Sequence, residues 1–306
     1  MHNVRLATRG STLALAQANT VATMLQTAHP GLYVELQIIQ TTGDVVQNRA
    51  LSQIGEQGVF VKEIEQALID GQADFAVHSC KDLESTTPSG LILAAFPLRA
   101  DPRDVLISRH GLTLNELPAG AKVGTSSLRR ACQIKFLRPD VEIVTLRGNV
   151  DTRLRKAQTE DYDAIVLAAA GLERLQIEQA VTEVLDVDTF IPMVGQGALA
   201  LECRVIDQTV RDLLAPLNHS PTALAVRVER QFLARLAGGC QVPIAAHATI
   251  EGDQVRLRGL IGLPDGSRVV RGERVASLAD ANTLGAQLAD ALLYDGGAAI
   301  LGSLKG

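Results

Sequence analysis

Short apolar runs alternate with amphipathic helical stretches through the first two thirds of this 306-residue chain, and that rhythm limits its fold more than any other feature. Val4–Ala7 reads as a strand and Thr12–Ala28 as a helix whose apolar side carries Leu13, Ala16, Val21, Met24 and Leu25. A strand at Tyr33–Ile39, a helix at Val59–Ile69 stopped by Gly71 and a strand at Asp74–His78 follow. The pattern resumes with Ala121–Gly124 (strand), Ser127–Leu137 (helix), Val141–Leu146 (strand), Asn149–Ala157 (helix) and Ala164–Ala168 (strand). Buried strands joined by crossover helices write this signature, so it predicts α/β units with mostly parallel sheets. Asp101–Asp104 and Ile191–Gly195 mark the places where the chain crosses from one such unit to the other.

Beyond about residue 220 the rhythm changes. A long helix at Pro221–Ala237 leads into Gly238-Gly239-Cys240-Gln241-Val242-Pro243. Three strand-like runs (Ile244–Ile250, Gln254–Leu263 and Arg268–Val275) and a final helix, Leu278–Leu293, then complete a small α+β domain. Glycines free the backbone before Cys240, so that its sulfur can be presented to a cleft. From the residues alone, a thiol there is a nucleophile, a covalent tether or a small turn residue. Thr41–Gly58 is long for a simple connection and carries little periodicity. It reads as a lid, with a disordered segment as the alternative.

Composition narrows the function classes. A net charge of −5 argues against general nucleic-acid binding, and with no Trp, three Tyr and six Phe the chain has few rings to stack on bases. The longest apolar run, Ala164–Leu172, falls far short of the roughly 20 residues of a membrane span. The start of the sequence shows no charged n-region and apolar h-region, which predicts a cytoplasmic protein with reduced thiols. Six scattered histidines and no Cys-x-x-Cys pair predict no metal site.

Arginines nevertheless gather at the ends of predicted strands. Gly124-Thr125-Ser126-Ser127-Leu128-Arg129-Arg130 joins a strand to a helix start, where unpaired N–H groups and the helix dipole favour anions. Adjacent helical residues diverge by about 100°. Arg129 and Arg130 therefore reach one anion together only from the first turn; otherwise one binds and the other is solvated. Leu146–Arg153 repeats the architecture, with Asn149 as N-cap, Arg147 at the strand end and Arg153 in the first turns. Arg9 with Ser11, and Arg174, follow other strands. Ligands of open α/β sheets bind at the carboxyl ends of strands. No glycine-lysine phosphate loop is present, and scattered arginines suit planar carboxylates, so a polycarboxylate ligand is expected. Lys81 and Asp82, after another strand, form an acid/base pair suited to carbon–nitrogen cleavage, or else a loop ion pair.

Ala7-Thr8-Arg9, Phe60–Glu63, His78–Asp82, Asp101–Asp104, Gly124–Arg130, Leu146–Asn149, Val194–Ala198 and Gly238–Pro243 occur in the order of a known family. Together these motifs span nearly the whole chain, which closely resembles the porphobilinogen deaminases. The resemblance implies two periplasmic-binding-protein-like α/β domains plus a small C-terminal α+β domain. The domain bounds it suggests are residues 1–98 with 197–217, residues 99–196, and residues 218–306. It implies a transferase that deaminates four porphobilinogen molecules in turn and adds them to a dipyrromethane cofactor held by a thioether, releasing hydroxymethylbilane. Cys240 matches the tether and Asp82 the catalytic carboxylate. Lys81, Ser127, Arg129, Arg130, Arg174 and Asp44 match cofactor-side positions, and Arg9, Ser11, Arg147 and Arg153 substrate-side positions. A cytoplasmic monomer acting without nucleic acid or membrane is implied as well. Three rivals remain: a solute-binding protein for an anion, a cysteine-nucleophile hydrolase, and an inactive relative.

Four positions depart from the family pattern. Gln53 and Gln57 stand where lysines are frequent, Thr42 replaces a common arginine, and Glu84 stands in place of a proline. All but the last remove positive charge near a site that must hold anions. Gln57→Lys is accordingly expected to change the KM or kcat for porphobilinogen in steady-state assays. An unchanged pair of constants would overturn the inference.

Overall fold

The computed structural model describes residues 3–45, 61–236 and 242–304. Two compact units emerge, one of residues 1–100 with 197–223 and the other of residues 101–196 with 224–306.

In the first unit, β1 (Asn3–Thr8), β2 (Tyr33–Ile38), β3 (Phe75–Ser79), β4 (Leu91–Ala95) and β10 (Leu199–Arg204) form a sheet in the order β2-β1-β3-β10-β4. β1 runs parallel to β2 and β3, whereas β10 is antiparallel to β3 and β4. Side chains along a strand alternate between faces, and here both faces are covered. Val4, Leu6, Phe75 and Val77 pack with Ala18, Val21 and Leu25 of helix α1 (Thr12–Ala28). Ala7 and Ala76 pack with Ile64 and Leu68 of a helix at Lys62–Ile69, named α3 because a single helical turn, α2, occupies Thr42–Val45.

The second unit repeats the plan. β5 (Asp104–Ser108), β6 (Lys122–Gly124), β7 (Glu142–Val144), β8 (Ala164–Ala168) and β9 (Glu183–Val184) lie in the order β7-β6-β8-β5-β9. β6 is parallel to β7 and β8, so the carboxyl ends of all three emerge along one edge. β5 runs antiparallel to β8 and pairs Asp104 with Ala168, which brings the start of β5 to that same edge. One face packs Leu106, Val123 and Val166 on Ile134 of α4 (Leu128–Leu137). The other packs Val105, Ile107, Ile165 and Leu167 with Leu172 and Leu154, from α6 (Ala169–Leu175) and α5 (Val150–Lys156).

Strands expected at Val4–Ala7, Asp74–His78, Ala121–Gly124 and Ala164–Ala168 are all present, with ends shifted by a residue or two. β4, β5, β9 and β10 lie in segments for which the alternation predicts no strand, and of these β5 and β10 run against the other strands of their sheets. After α7 (Gln208–Leu214), helix α8 runs from Ser220 to Arg235. β11 (Ile244–Glu251), β12 (Gln254–Gly262) and β13 (Val269–Ser277) then make an antiparallel sheet. The last predicted helix is realised as α9 (Ala281–Leu292), and an unpredicted α10 (Ala298–Ser303) follows a kink at Gly296, φ +113.

Phe232 and Val228 of α8 meet Leu257, Leu284 and Leu288 in the core of this C-terminal part. Gly285 lets α8 and α9 approach closely: a Cβ there would lie 2.3 Å from Val228 O and 2.7 Å from Phe232 N. The obstruction is backbone, which cannot rotate aside. Gly285→Ala is therefore expected to cost about 1–3 kcal/mol of stability, the usual penalty of overpacking, read as a lower denaturation midpoint. An unchanged midpoint would show that the helices separate without cost.

Candidate active site

The first unit brings Arg9, Ser11, Lys81 and Asp82 to one sheet edge. β1 and β3 are parallel neighbours, so the residues that follow each strand emerge side by side. Ser11 is the N-cap of α1, its hydroxyl accepting from Ala14 N at 3.3 Å. Lys81 and Asp82 sit in a single 3₁₀ turn, Cys80–Asp82, anchored where Cys80 N donates to Ala198 O at 3.0 Å. Ser79, directly before the turn, is held by Gln17 of α1, whose Nε2 donates to its hydroxyl at 2.9 Å. Arg9, Lys81 and Asp82 are half-buried, partly desolvated yet open to a ligand. Thr42 is not idle: its N and Oγ1 donate to Glu63 Oε1 at 2.8 and 2.5 Å, tying the segment after β2 to α3. Of the remaining expected residues, Asp44 lies in α2 but its side chain is outside the described set, as are Gln53, Gln57 and Cys240.

Behind the Lys81-Asp82 turn lies a buried acid–base cluster with no counterpart in the sequence reading. His78 Nε2 and Glu202 Oε2 are 3.0 Å apart, and both residues are buried. Burial, followed by the charge of Glu202, pushes the Glu65 carboxyl on α3 up to about 7.

The second unit gathers the other arginines. Ser127 caps α4, accepting from Arg130 N at 3.4 Å. Arg129 and Arg130 are only 4 % and 6 % exposed, so neither is the solvated residue of the alternative reading. Both turn to Asp104: Arg129 Nη1 donates to Oδ2 at 2.7 Å, and Arg130 Nη2 to Oδ1 at 2.7 Å. Burial raises the Asp104 carboxyl, but the charges of Arg129 and Arg130 outweigh it and hold the group well below the usual carboxylate range. Among the described residues Arg129 Nε is buried without a hydrogen-bond partner, and a buried donor left unsatisfied costs about 1–3 kcal/mol. An anionic oxygen is the natural complement of such a group.

Arg147, Arg153 and Arg174 are half-buried along the same edge. Gly148 shapes the turn between the first two, with φ +118 and a Cβ position 2.7 Å from the Thr152 side chain. Only glycine fits there. Arg153 Nε donates to Gly148 O at 2.7 Å. Asn149 is the N-cap of α5, as expected, although its side chain makes no capping bond. Burial lowers the pKa of Arg174, with Glu173 opposing. The residues fit an acid-rich cofactor: guanidiniums and a serine cap along one edge, one buried N–H among them still unsatisfied.

Sequence reasoning assigned no role to Asp104, Gln196, Gln17 or Glu202. An acidic residue opening a buried apolar run, as in Asp104-Val105-Leu106-Ile107, is the local signal that was there to find.

Such a sheet edge defines an α/β protein built to hold a ligand with many carboxylates. The family model "Porphobilinogen deaminase, dipyromethane cofactor binding domain" matches residues 4–212, and "Porphobilinogen deaminase, C-terminal domain" matches residues 223–294. The porphobilinogen deaminase of Roseiflexus sp. (strain RS-1) is 54 % identical over 296 residues, covering 97 % of each chain. That of Syntrophotalea carbinolica is 51 % identical over 301 residues, covering 98 % of this chain and 96 % of its own. The chain belongs to the porphobilinogen deaminase family. Among solved structures, the periplasmic aliphatic sulphonate binding protein SsuA from Escherichia coli is 15 % identical, with a TM-score of 0.41 over 77 % of this chain and 70 % of that one. No helix among the described residues is long and apolar enough to cross a membrane.

The raised Glu65 carboxyl carries a pH signature. Its proton is bound more tightly in the folded chain, so its stabilising contribution is complete below the ordinary value of 4.5 and lost as pH rises through about 7. Glu65→Gln is expected to raise the melting temperature at about pH 8 and leave it unchanged at about pH 4. Equal shifts at both pH values would refute the assignment.

Proposed function

We propose that the chain acts as a hydroxymethylbilane synthase, with Asp82 as its catalytic carboxylate and Cys240 as the thioether tether of the dipyrromethane. Porphobilinogen is the substrate: it loses ammonia, and four units are joined head to tail. When bound, the cofactor supplies the free pyrrole α-carbon on which the chain grows. Asp82, half-buried at the end of β3 beside Lys81, accepts N–H bonds from a pyrrole ring, stabilises positive charge developing there and takes up the proton lost on coupling. Arg9, Ser11, Arg147 and Arg153 hold substrate carboxylates. Lys81, Asp82, Ser127, Arg129, Arg130, Arg174 and Asp44 serve the cofactor. The chain works as a cytoplasmic monomer in three domains: residues 1–98 with 197–217, residues 99–196, and residues 218–306.

The observation that carries this reading is the arginine-lined edge of the second sheet, with its unsatisfied buried N–H on Arg129. The described cysteines add support. Cys80, Cys132 and Cys203 are 2 %, 0 % and 0 % exposed. Burial pushes the Cys132 thiol up to about 12 and the Cys203 thiol up to about 11, with Asp265 and Asp207 adding to it. Thiols raised so far are poor nucleophiles, which supports a tether at Cys240 rather than at Cys132 or Cys203.

Two measurements test the proposal. The intact mass of the purified protein should exceed that of the polypeptide by two linked pyrrole units, an increment that Cys240→Ser removes; an active enzyme of unmodified mass would sink the tether. Asp82→Ala is expected to lower kcat by about 10²–10⁴, the range of a lost acid–base group, with the fold and the mass increment retained. Near-normal turnover would remove Asp82 from its role.

A further inference from the structure

Asp104 accepts four hydrogen bonds from three side chains at the edge where the arginines gather, yet the reaction assigns it no task. Its Oδ2 accepts from Arg129 Nη1, and its Oδ1 accepts from Arg130 Nε at 3.0 Å, Arg130 Nη2 at 2.7 Å and Gln196 Nε2 at 3.0 Å. The guanidiniums are held by backbone carbonyls as well. Arg129 Nη1 donates to Ile191 O at 2.8 Å and Arg130 Nη1 to Val166 O at 2.9 Å, while Arg129 lies 5.8 Å over the Phe190 ring. Gln196 in turn donates to Pro102 O at 2.8 Å. Two buried guanidiniums side by side repel in a low dielectric. One fully buried carboxylate offsets part of that charge and leaves the group at net +1, with Arg129 Nε still to be satisfied.

We propose that Asp104 is a positioning residue for the cofactor, fixing Arg129 and Arg130 in the orientation from which they take its carboxylate oxygens. The inference rests on the reading that these two arginines serve the cofactor. Preorganised donors bind an anion without first having to be ordered, and burial makes each charge-assisted bond to Asp104 stronger than in water. Asp104→Asn keeps the shape but removes the charge, and it turns one accepting oxygen into an N–H that faces a guanidinium. At least one arginine is then released, even though the site becomes more positive. Cofactor loading should fall, whereas a site governed by total charge would load better.

The experiment reads cofactor occupancy, as the fraction of folded, full-length chains carrying the two-pyrrole mass increment, together with the melting temperature. Asp104→Asn is expected to lower occupancy at least tenfold, the effect of losing one charge-assisted bond. Leu25→Ala, in the apolar core of the first unit, should lower the melting temperature and leave occupancy intact. Wild-type or higher occupancy in Asp104→Asn overturns the proposal. So does occupancy that falls in step with melting temperature in both variants, since Asp104 would then be merely structural. If Asp104→Asn yields no folded protein, Gln196→Met decides: it keeps the charge, removes one donor to Oδ1 and should lower occupancy about threefold, within the worth of one such bond, while unchanged occupancy refutes the role. Arg129→Gln and Arg130→Gln separate the two levels. Full occupancy in both defeats the reading of the arginines, whereas loss in them but not in Asp104→Asn defeats only the role of Asp104.

Discussion

A carboxylate with no solvent exposure, held by two buried guanidiniums, is the interaction on which the second unit depends. Removing the carboxylate would leave two buried guanidiniums uncompensated, and breaking a buried pair in this way costs about 3–5 kcal/mol. The cluster is therefore a constraint as much as a source of stability. It forces the start of β5, the first turn of α4 and the segment around Ile191 and Gln196 into one arrangement. It also explains how two adjacent helical arginines, which should diverge, come to share one partner. Both belong to the first turn of α4, and Asp104 enters from a neighbouring strand to meet them there.

Parallel pairing decides where chemistry can occur in each unit. When strands run the same way, the loops after them emerge on one edge, and side chains far apart in sequence become neighbours. Arg9 and Asp82 come to one sheet edge this way in the first unit, and Ser127, Arg147 and Arg174 in the second. The antiparallel strands serve another purpose. β10 places Glu202 against His78, and β5 returns Asp104 to the carboxyl edge of β8. Each of these inserted strands carries a buried acid: Glu202 meets His78 of β3, and Asp104 meets Arg129 and Arg130 of α4.

The sequence was legible where periodicity is strong. The strand–helix alternation reported β1, β3, β6 and β8 because each is a short apolar run followed by a helix of clear period. β4, β5 and β10 left no such trace. Leu91–Ala95 and Leu199–Arg204 are apolar runs without flanking helical rhythm, and β10, a central strand buried on both faces, shows no alternation. The arginine positions were legible because strand ends are predictable. Asp104 was not, because its partners lie 25 and 26 residues away, and beside Asp101 and Arg103 it reads as part of a local charge run. Only the pairing of β5 with β8 reveals that one of those acids points inward.

The buried polar contacts of the second unit form a continuous path. Glu229, fully buried on α8, accepts from Gly195 N at 2.7 Å and from Ala248 N of β11 at 2.8 Å. The next residue, Gln196, donates to Asp104, which holds Arg129 and Arg130. A side-chain carboxylate that satisfies two backbone N–H groups fixes helix rotation as well as position, since a turn of the helix would strand both donors. The helix leading into the glycine turn and the arginines of the sheet edge are thus registered against each other through buried bonds inside one unit.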